Sequence, residues 1–216
     1  MMLGAAAVVM WCEVGLDVKE EFEDWHAHEH QPERLSIPGF LRGTRWVSTD
    51  GRNSYVMLYE ALNEATVTTG PYMERLNDPT PWSRKMMPHH RNMVRSLCRV
   101  QASFGAGLGQ FLLTARFAPE PAQADALERR LTGELLPSLP SRKGIVAAHL
   151  LRRIAGSRAE LTTEQKMRGG DGSADWIVII NGYDAGALAA VDLPGAVTGI
   201  YNLACLLTPA DLRARP

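Results

Sequence analysis

Along residues 18–35 a stripe recurs every three or four residues, apolar at Val18, Phe22 and Trp25 and then ionisable, whereas residues 5–14, 55–59 and 176–180 are apolar almost without interruption. The first pattern predicts a helix, ended by Ile37-Pro38-Gly39; the second predicts strands buried on both faces. Further strands are expected at 41–48 and 54–61, joined through the hairpin dipeptide Asp50-Gly51. A polar segment then leads to Thr80-Pro81-Trp82, which has the form of an N-cap followed by proline at the first helical position. That helix is expected to reach about His90, before a strand at 93–103. The order is strand, helix, strand, strand, helix, strand, the ferredoxin-like order.

The same order returns: strand 110–118, helix 122–139, strands 143–154 and 175–182, short helix 185–191 and strand 198–208. An offset of 105 aligns Glu23 with Glu128, Glu29 with Glu134, Pro32 with Pro137 and Gly39 with Gly144. The expected organisation is a ferredoxin-like repeat at 1–104, a glycine-rich linker at 105–109, and a second repeat at 110–216. Helices would cover one face of each four-stranded sheet, and the sheet of the other repeat would cover the second face. The expected fold class is therefore α+β: two tandem ferredoxin-like repeats forming an intramolecular α+β barrel. The second repeat carries a long polar hairpin insertion at 155–174, either a mobile surface loop or a lid over a neighbouring pocket. Its Glu164 and Arg168 are i,i+4 neighbours if it is helical.

Composition narrows the partners. The 216 residues are 45% hydrophobic and 22% charged with a net charge of -1, an ordinary globular make-up with no basic run for nucleic acid. Cys12, Cys98 and Cys205 lie far apart without CxxC spacing, which argues against a disulfide framework or a structural zinc. Residues 3–12 are too short an apolar run to cross a bilayer and read as a strand. The expectation is a cytoplasmic protein with no membrane or nucleic-acid partner; a homodimer stays open.

The stretch "WHAHEHQPERLSIPGFLRGTRW" (residues 25–46) resembles the dimeric α+β barrel superfamily, most of all its EthD-like and stress-responsive branches. The resemblance covers the first half well and the second mainly by element order. It implies one chain holding both halves of a barrel usually built by two subunits. That superfamily includes cofactor-free monooxygenases, lactone isomerases, polyketide cyclases and haem enzymes, so the fold leaves the reaction open.

The candidate site comes from the first helix. At about 100° per residue with Phe22 at zero, Val18, Trp25, His26, Glu29 and Glu33 lie within about 60° of it. His28 and His30 fall on the flanks. The inward stripe starts apolar and turns ionisable. On the later helix Trp82, Met86 and His89 share a stripe. The expected site is His26 as base or acid, Glu29 as its orienting partner and His89 as a second polar contact. Trp25, Trp82, Tyr59 and Glu33 would line the substrate. In the second half Leu131 replaces His26, so the first half is expected to be the active one. HExxH is absent and His30 lies off the stripe, so no metal and no cofactor are expected. The expected role is cofactor-independent acid–base chemistry on a small, partly apolar organic molecule, of isomerase, lyase or monooxygenase type. The alternatives are a non-catalytic small-molecule-binding or stress-associated protein, and a His-ligated metal or haem enzyme.

Overall fold

Strands without charge on either face need cover on both sides, and the chain supplies it by closing on itself. The computed structural model describes residues 2–154 and 161–213. Eight antiparallel strands form a closed barrel: β1 (Ala6–Glu13), β2 (Phe40–Ser48), β3 (Ser54–Ala61), β4 (Arg91–Gly105), β5 (Phe111–Phe117), β6 (Ile145–Arg153), β7 (Trp176–Gly182) and β8 (Val197–Leu207). Their order around the barrel is β1-β3-β2-β8-β5-β7-β6-β4. Each half thus forms a sheet in the order 4-1-3-2, and the halves join where β2 meets β8 and β4 meets β6. The expected α+β barrel is the fold observed.

Alternation along each strand divides the core into three. One residue set points into the barrel, where Trp11, Trp46, Val56, Leu58, Leu112, Ile177 and Ile179 pack together. Both buried indoles find acceptors: Trp11 Nε1 donates to Thr114 Oγ1 (3.2 Å) and Trp46 Nε1 to Thr44 Oγ1 (2.8 Å). The other set points outward beneath helices. Met10, Met57 and Tyr59 do so in the first half, Ala115, Val178 and Ile180 in the second.

The first helix, α1 (residues 19–35), is not uniform. It is α-helical over Lys19–Trp25, widens to a π-turn over His26–His30, and resumes as α over Gln31–Leu35. Gly39 follows at φ 97°, a backbone that suits glycine. The expected polar segment after β3 is instead two short helices, α2 (Glu64–Thr68) and α3 (Gly70–Asn77). The Asn63 side chain caps α2 by accepting from Thr66 N (3.1 Å). Val67, Tyr72 and Leu76 fix this pair to the sheet. Helix α4 (Pro81–Met86) has the expected Thr80 cap, with Ser83 N donating to Thr80 Oγ1 (3.0 Å), and ends in a 3-10 turn at Met87–His89.

In the second half α5 (residues 121–138) also widens to a π-turn, at Leu131–Leu135, 105 residues after the first. Gly144 follows at φ 92°. Part of the insertion, residues 155–160, lies outside the described residues. The rest forms α6 (Thr163–Met167), started by a capping box between Thr162 and Gln165. It then returns along β4, where Gly172 bridges Val94 and Ser96 Oγ donates to Ala174 O (2.9 Å). Among the described residues two further short helices follow, α7 (Ala185–Ala189) and α8 (Pro209–Arg213).

Candidate active site

The π-turn decides which side chains of α1 face inward. A π-turn inserts one extra residue into the helical path, so every later position is turned back by about 100° from the α-helical wheel. The inward stripe, which should have continued through Glu29 and Glu33, passes instead to His30 and Arg34. Phe22, Trp25, His26, His30, Gln31, Arg34 and Leu35 are buried, whereas Glu29 and Glu33 are half-buried. Gln31 is held by donating Nε2–H to Gly43 O (2.6 Å). A Cβ at Gly43 would crowd both that amide and the Tyr59 ring.

His26, His30 and Arg34 then form one wall of a cavity with a free volume of about 20 Å³. Its floor is Met10, Met57 and Tyr59 from the sheet. Tyr72 and Leu76 of α3 close one side, and Met87 and His90 from the end of α4 close another. Arg95 enters from β4, and the second half supplies the roof with Glu164 and Arg168. The insertion therefore covers the cavity of the other half.

The imidazoles are held neutral. Burial, with help from Arg45, His90 and Arg34, pushes His26 well below the usual imidazole range. Burial and Arg34 do the same to His30. His90 falls to about 4 through burial and the Arg168 charge. Its Nδ1 faces the carbonyls of Met86 and Met87, both at 3.2 Å, so Nδ1 carries the proton and Nε2 is a bare acceptor. His26 Nε2 stands 3.1 Å from the Tyr59 hydroxyl, and its Nδ1 has no hydrogen-bond partner. Burial raises the Tyr59 phenol, so the hydroxyl keeps its proton. Both partners therefore stay neutral: with Nε2–H donating to the Tyr59 oxygen, Nδ1 keeps a lone pair free for a substrate, and in the other tautomer Nδ1–H is free to donate.

Above the imidazoles lies an ionic network. Arg34 pairs with Glu164 and with Glu33 (3.0 Å). Arg168 reaches Glu164 at 3.6 Å and grips Asp171 through Nε (3.0 Å) and Nη2 (2.8 Å). Arg95 Nη2 donates to the Tyr72 hydroxyl (2.8 Å).

Of the residues expected from sequence, His26 and Tyr59 line the cavity. Glu29 does not orient His26. Its Oε1 accepts from Trp25 Nε1 (3.2 Å), Thr80 Oγ1 (2.5 Å) and Ser83 Oγ (3.3 Å), pinning α1 to the start of α4. Glu33 sits with Arg34 and Arg75 outside the wall. Trp25 packs behind it, 4.4 Å from His30 between ring centroids. Trp82 faces outward, donating to Glu21 Oε1 (3.2 Å). His89 is half-buried and misses the cavity because Pro88 belongs to a 3-10 turn rather than a continuing α-helix; His90 takes the inward place. Missed by sequence reasoning were His30, Arg34, His90, Arg95 and, as wall residues, Glu164 and Arg168. For the last two, the i,i+4 spacing within the insertion was the available signal.

Among the described residues, no group of three His, Cys, Asp or Glu side chains stands close enough to hold a metal ion. A porphyrin is many times larger than the cavity, whose walls carry the charged Arg34, Arg95, Glu164 and Arg168 where a porphyrin's faces need apolar cover. The residues present do not fit a haem.

No family model matches the chain, and no curated protein matches it. Solved structures do. A provisionally named monooxygenase from Fusobacterium nucleatum superposes with TM-score 0.60 at 8% identity, covering 96% of each chain. An anthrone oxidase-like protein gives 0.61 at 11%, covering 95% of this chain and 93% of its own. A provisionally named chlorite dismutase gives 0.56 at 10%, covering 96% and 97%. At such identities the likeness establishes the fold alone, that of the ferredoxin-like α+β barrels.

Proposed function

We propose that this chain is an enzyme that moves a proton on a small, partly apolar organic molecule, without help from a bound cofactor in that step. His26 is the base or acid, Tyr59 its hydrogen-bonded partner, and His90 Nε2 a second acceptor. One observation carries the reading: a neutral imidazole with an unpartnered nitrogen, hydrogen-bonded to a protonated phenol, stands in a methionine-floored cavity. A neutral histidine has a lone pair available at neutral pH, and burial that disfavours the imidazolium makes a proton taken up there a transient one, returned to the substrate and not stored. Two structural neighbours carry monooxygenase and anthrone oxidase in their names. Removal of an acidic C–H proton is a first step that such an oxidation and an isomerisation can share.

The first half carries this chemistry and the second supports it. We read residues 1–104 and 110–216 as products of one duplicated unit. The π-turns and positive-φ glycines 105 residues apart support that reading.

Solvent exchange tests the function without knowledge of the full reaction. The protein is incubated in D2O with a panel of enolisable ketones, lactones and hydroxyarenes, and C–H loss is followed by NMR. The expected outcome is exchange of at least one compound, slowed about 100-fold in His26→Ala. Compounds that raise the melting temperature yet exchange no faster than in buffer would favour the binding-protein reading.

A further inference from the structure

We propose that the substrate of this site is an organic anion, and that Arg95 is the group that receives its carboxylate. The inference rests on the cavity being the functional site, and it names the ligand's charge, which the proton-transfer reading leaves open.

The other two cations that line the cavity are matched. Arg34 has Glu164, and Arg168 has Asp171. Exposed Arg75, outside the wall, stands 3.7 Å from Glu33. Arg95 lines the same cavity, and among the described residues no carboxylate lies within ion-pair distance of it. Its guanidinium is held by the neutral Tyr72 hydroxyl and lies 5.7 Å from that ring's centroid. The imidazoles lining the cavity add no negative charge. A guanidinium presents five N–H donors, and the Tyr72 hydroxyl accepts from one of its terminal nitrogens. The half-buried guanidinium feels Asp171 and Glu164 only from beyond ion-pair reach, so donors are left for a closer counter-charge, and a carboxylate is the best-shaped partner.

The position suits the chemistry. A carboxylate on Arg95 directs the rest of the molecule toward the methionine floor, where His26 and Tyr59 wait. The free volume of about 20 Å³ admits only something the size of one or two waters. Formate comes nearest to fitting the cavity as folded, and a larger acid enters by displacing α6 with its Glu164 and Arg168. The second half would then sense whether the site is filled.

The test is thermal melting of the full chain in low-chloride buffer with formate, acetate, benzoate or phenylacetate, beside the neutral formamide and benzamide. Carboxylates should raise the melting temperature with dose and the amides should not. In Arg95→Met the half-maximal carboxylate concentration should rise roughly tenfold to a hundredfold, as expected for a lost charge-assisted pair. Arg95→Gln removes the charge and keeps a donor for Tyr72; it should behave like the methionine variant. Tyr72→Phe removes the hydrogen bond and keeps the charge, so protection should persist. The proposal is overturned if no carboxylate protects, if amides protect equally well, or if both Arg95 variants are protected like wild type. The two readings separate at His26→Gln. Lost exchange with intact benzoate protection supports both. Intact exchange with protection that depends on Arg95 leaves the anion site standing and removes His26 as base.

Discussion

Helices α1 and α5 share a build and differ in what they bury. Each widens to a π-turn, at His26–His30 and Leu131–Leu135, and each is followed by a glycine of positive φ. At the offset of 105, His26 and His30 of α1 correspond to Leu131 and Leu135 of α5, and Arg34 to Leu139 in the 3-10 turn just after it. Beneath them Tyr59 opposes Gly43 on the neighbouring strand, where the second half has Ile180 opposite Ala148. The second half fills its space with hydrocarbon. The first half surrounds a cavity with ionisable groups that must find partners. The same backbone device therefore frames a hydrocarbon core in one place and a polar cavity in the other, and the difference lies in a handful of side chains.

The sharpest way to break the comparison is to make the first half apolar at Arg34, where the second has Leu139. Arg34→Met strands Glu164 without its main partner, and urea unfolding should show a loss of about 3–5 kcal/mol. Arg34→Met with Glu164→Met should recover most of it. Recovery in the double variant is the decisive observation, since a purely steric role for Arg34 would make the two losses add. Next in size is His26→Ala, at about 100-fold in exchange rate with the fold retained; equal rates with a normal melt would make the first half as structural as the second. The reverse swap, Leu131→His, places an imidazole in a dry core. It should cost roughly 1–3 kcal/mol at pH 7.5 and more in acid.

The smallest effect is graded and follows from pH. The folded-state pKa of His26, His30, His90 and His149 is depressed, to about 4 for the last two. The unfolded chain titrates near 6.5, so above that pH neither state gains protons and stability is complete. As pH falls from 6.5 toward 4 the unfolded chain takes up protons that the folded protein refuses. Stability should drop by up to ~1.4 kcal/mol per pH unit for each histidine. Urea midpoints at pH 7.5, 6 and 5 measure this. His26→Leu with His30→Leu should flatten the slope, and an unchanged slope would mean those rings are not held neutral.

The barrel strands were legible because 55–59 and 176–180 are apolar on both faces, a demand only a twice-covered sheet meets. Helices α2 and α3 were not, because each presents one or two buried side chains, Val67 and then Tyr72 and Leu76, too few to make a stripe. The site was half legible. His26 precedes the extra residue of the π-turn and was placed inward. A regular wheel turns Glu29 and Glu33 inward, and the π-turn rotates it so that His30 and Arg34 face in instead. Nothing local in HAHEH announces such a turn. Arg95 and Glu164 needed the tertiary fold, since the latter arrives from a hairpin of the other half.

Closure of the barrel also sets the order in which the protein can be made. Strand β2 finds its second neighbour in β8, so Ser48 waits for Tyr201, and Cys98 of β4 waits for Arg153 of β6. Until those residues leave the ribosome, the first half exposes two rows of unpaired amides and carbonyls, the kind of edge that recruits other chains. Pairings so distant in sequence form slowly. The nascent chain therefore passes through a period of vulnerability to aggregation that ends abruptly when the last strand docks, and chaperone demand should be highest just before β8 is released.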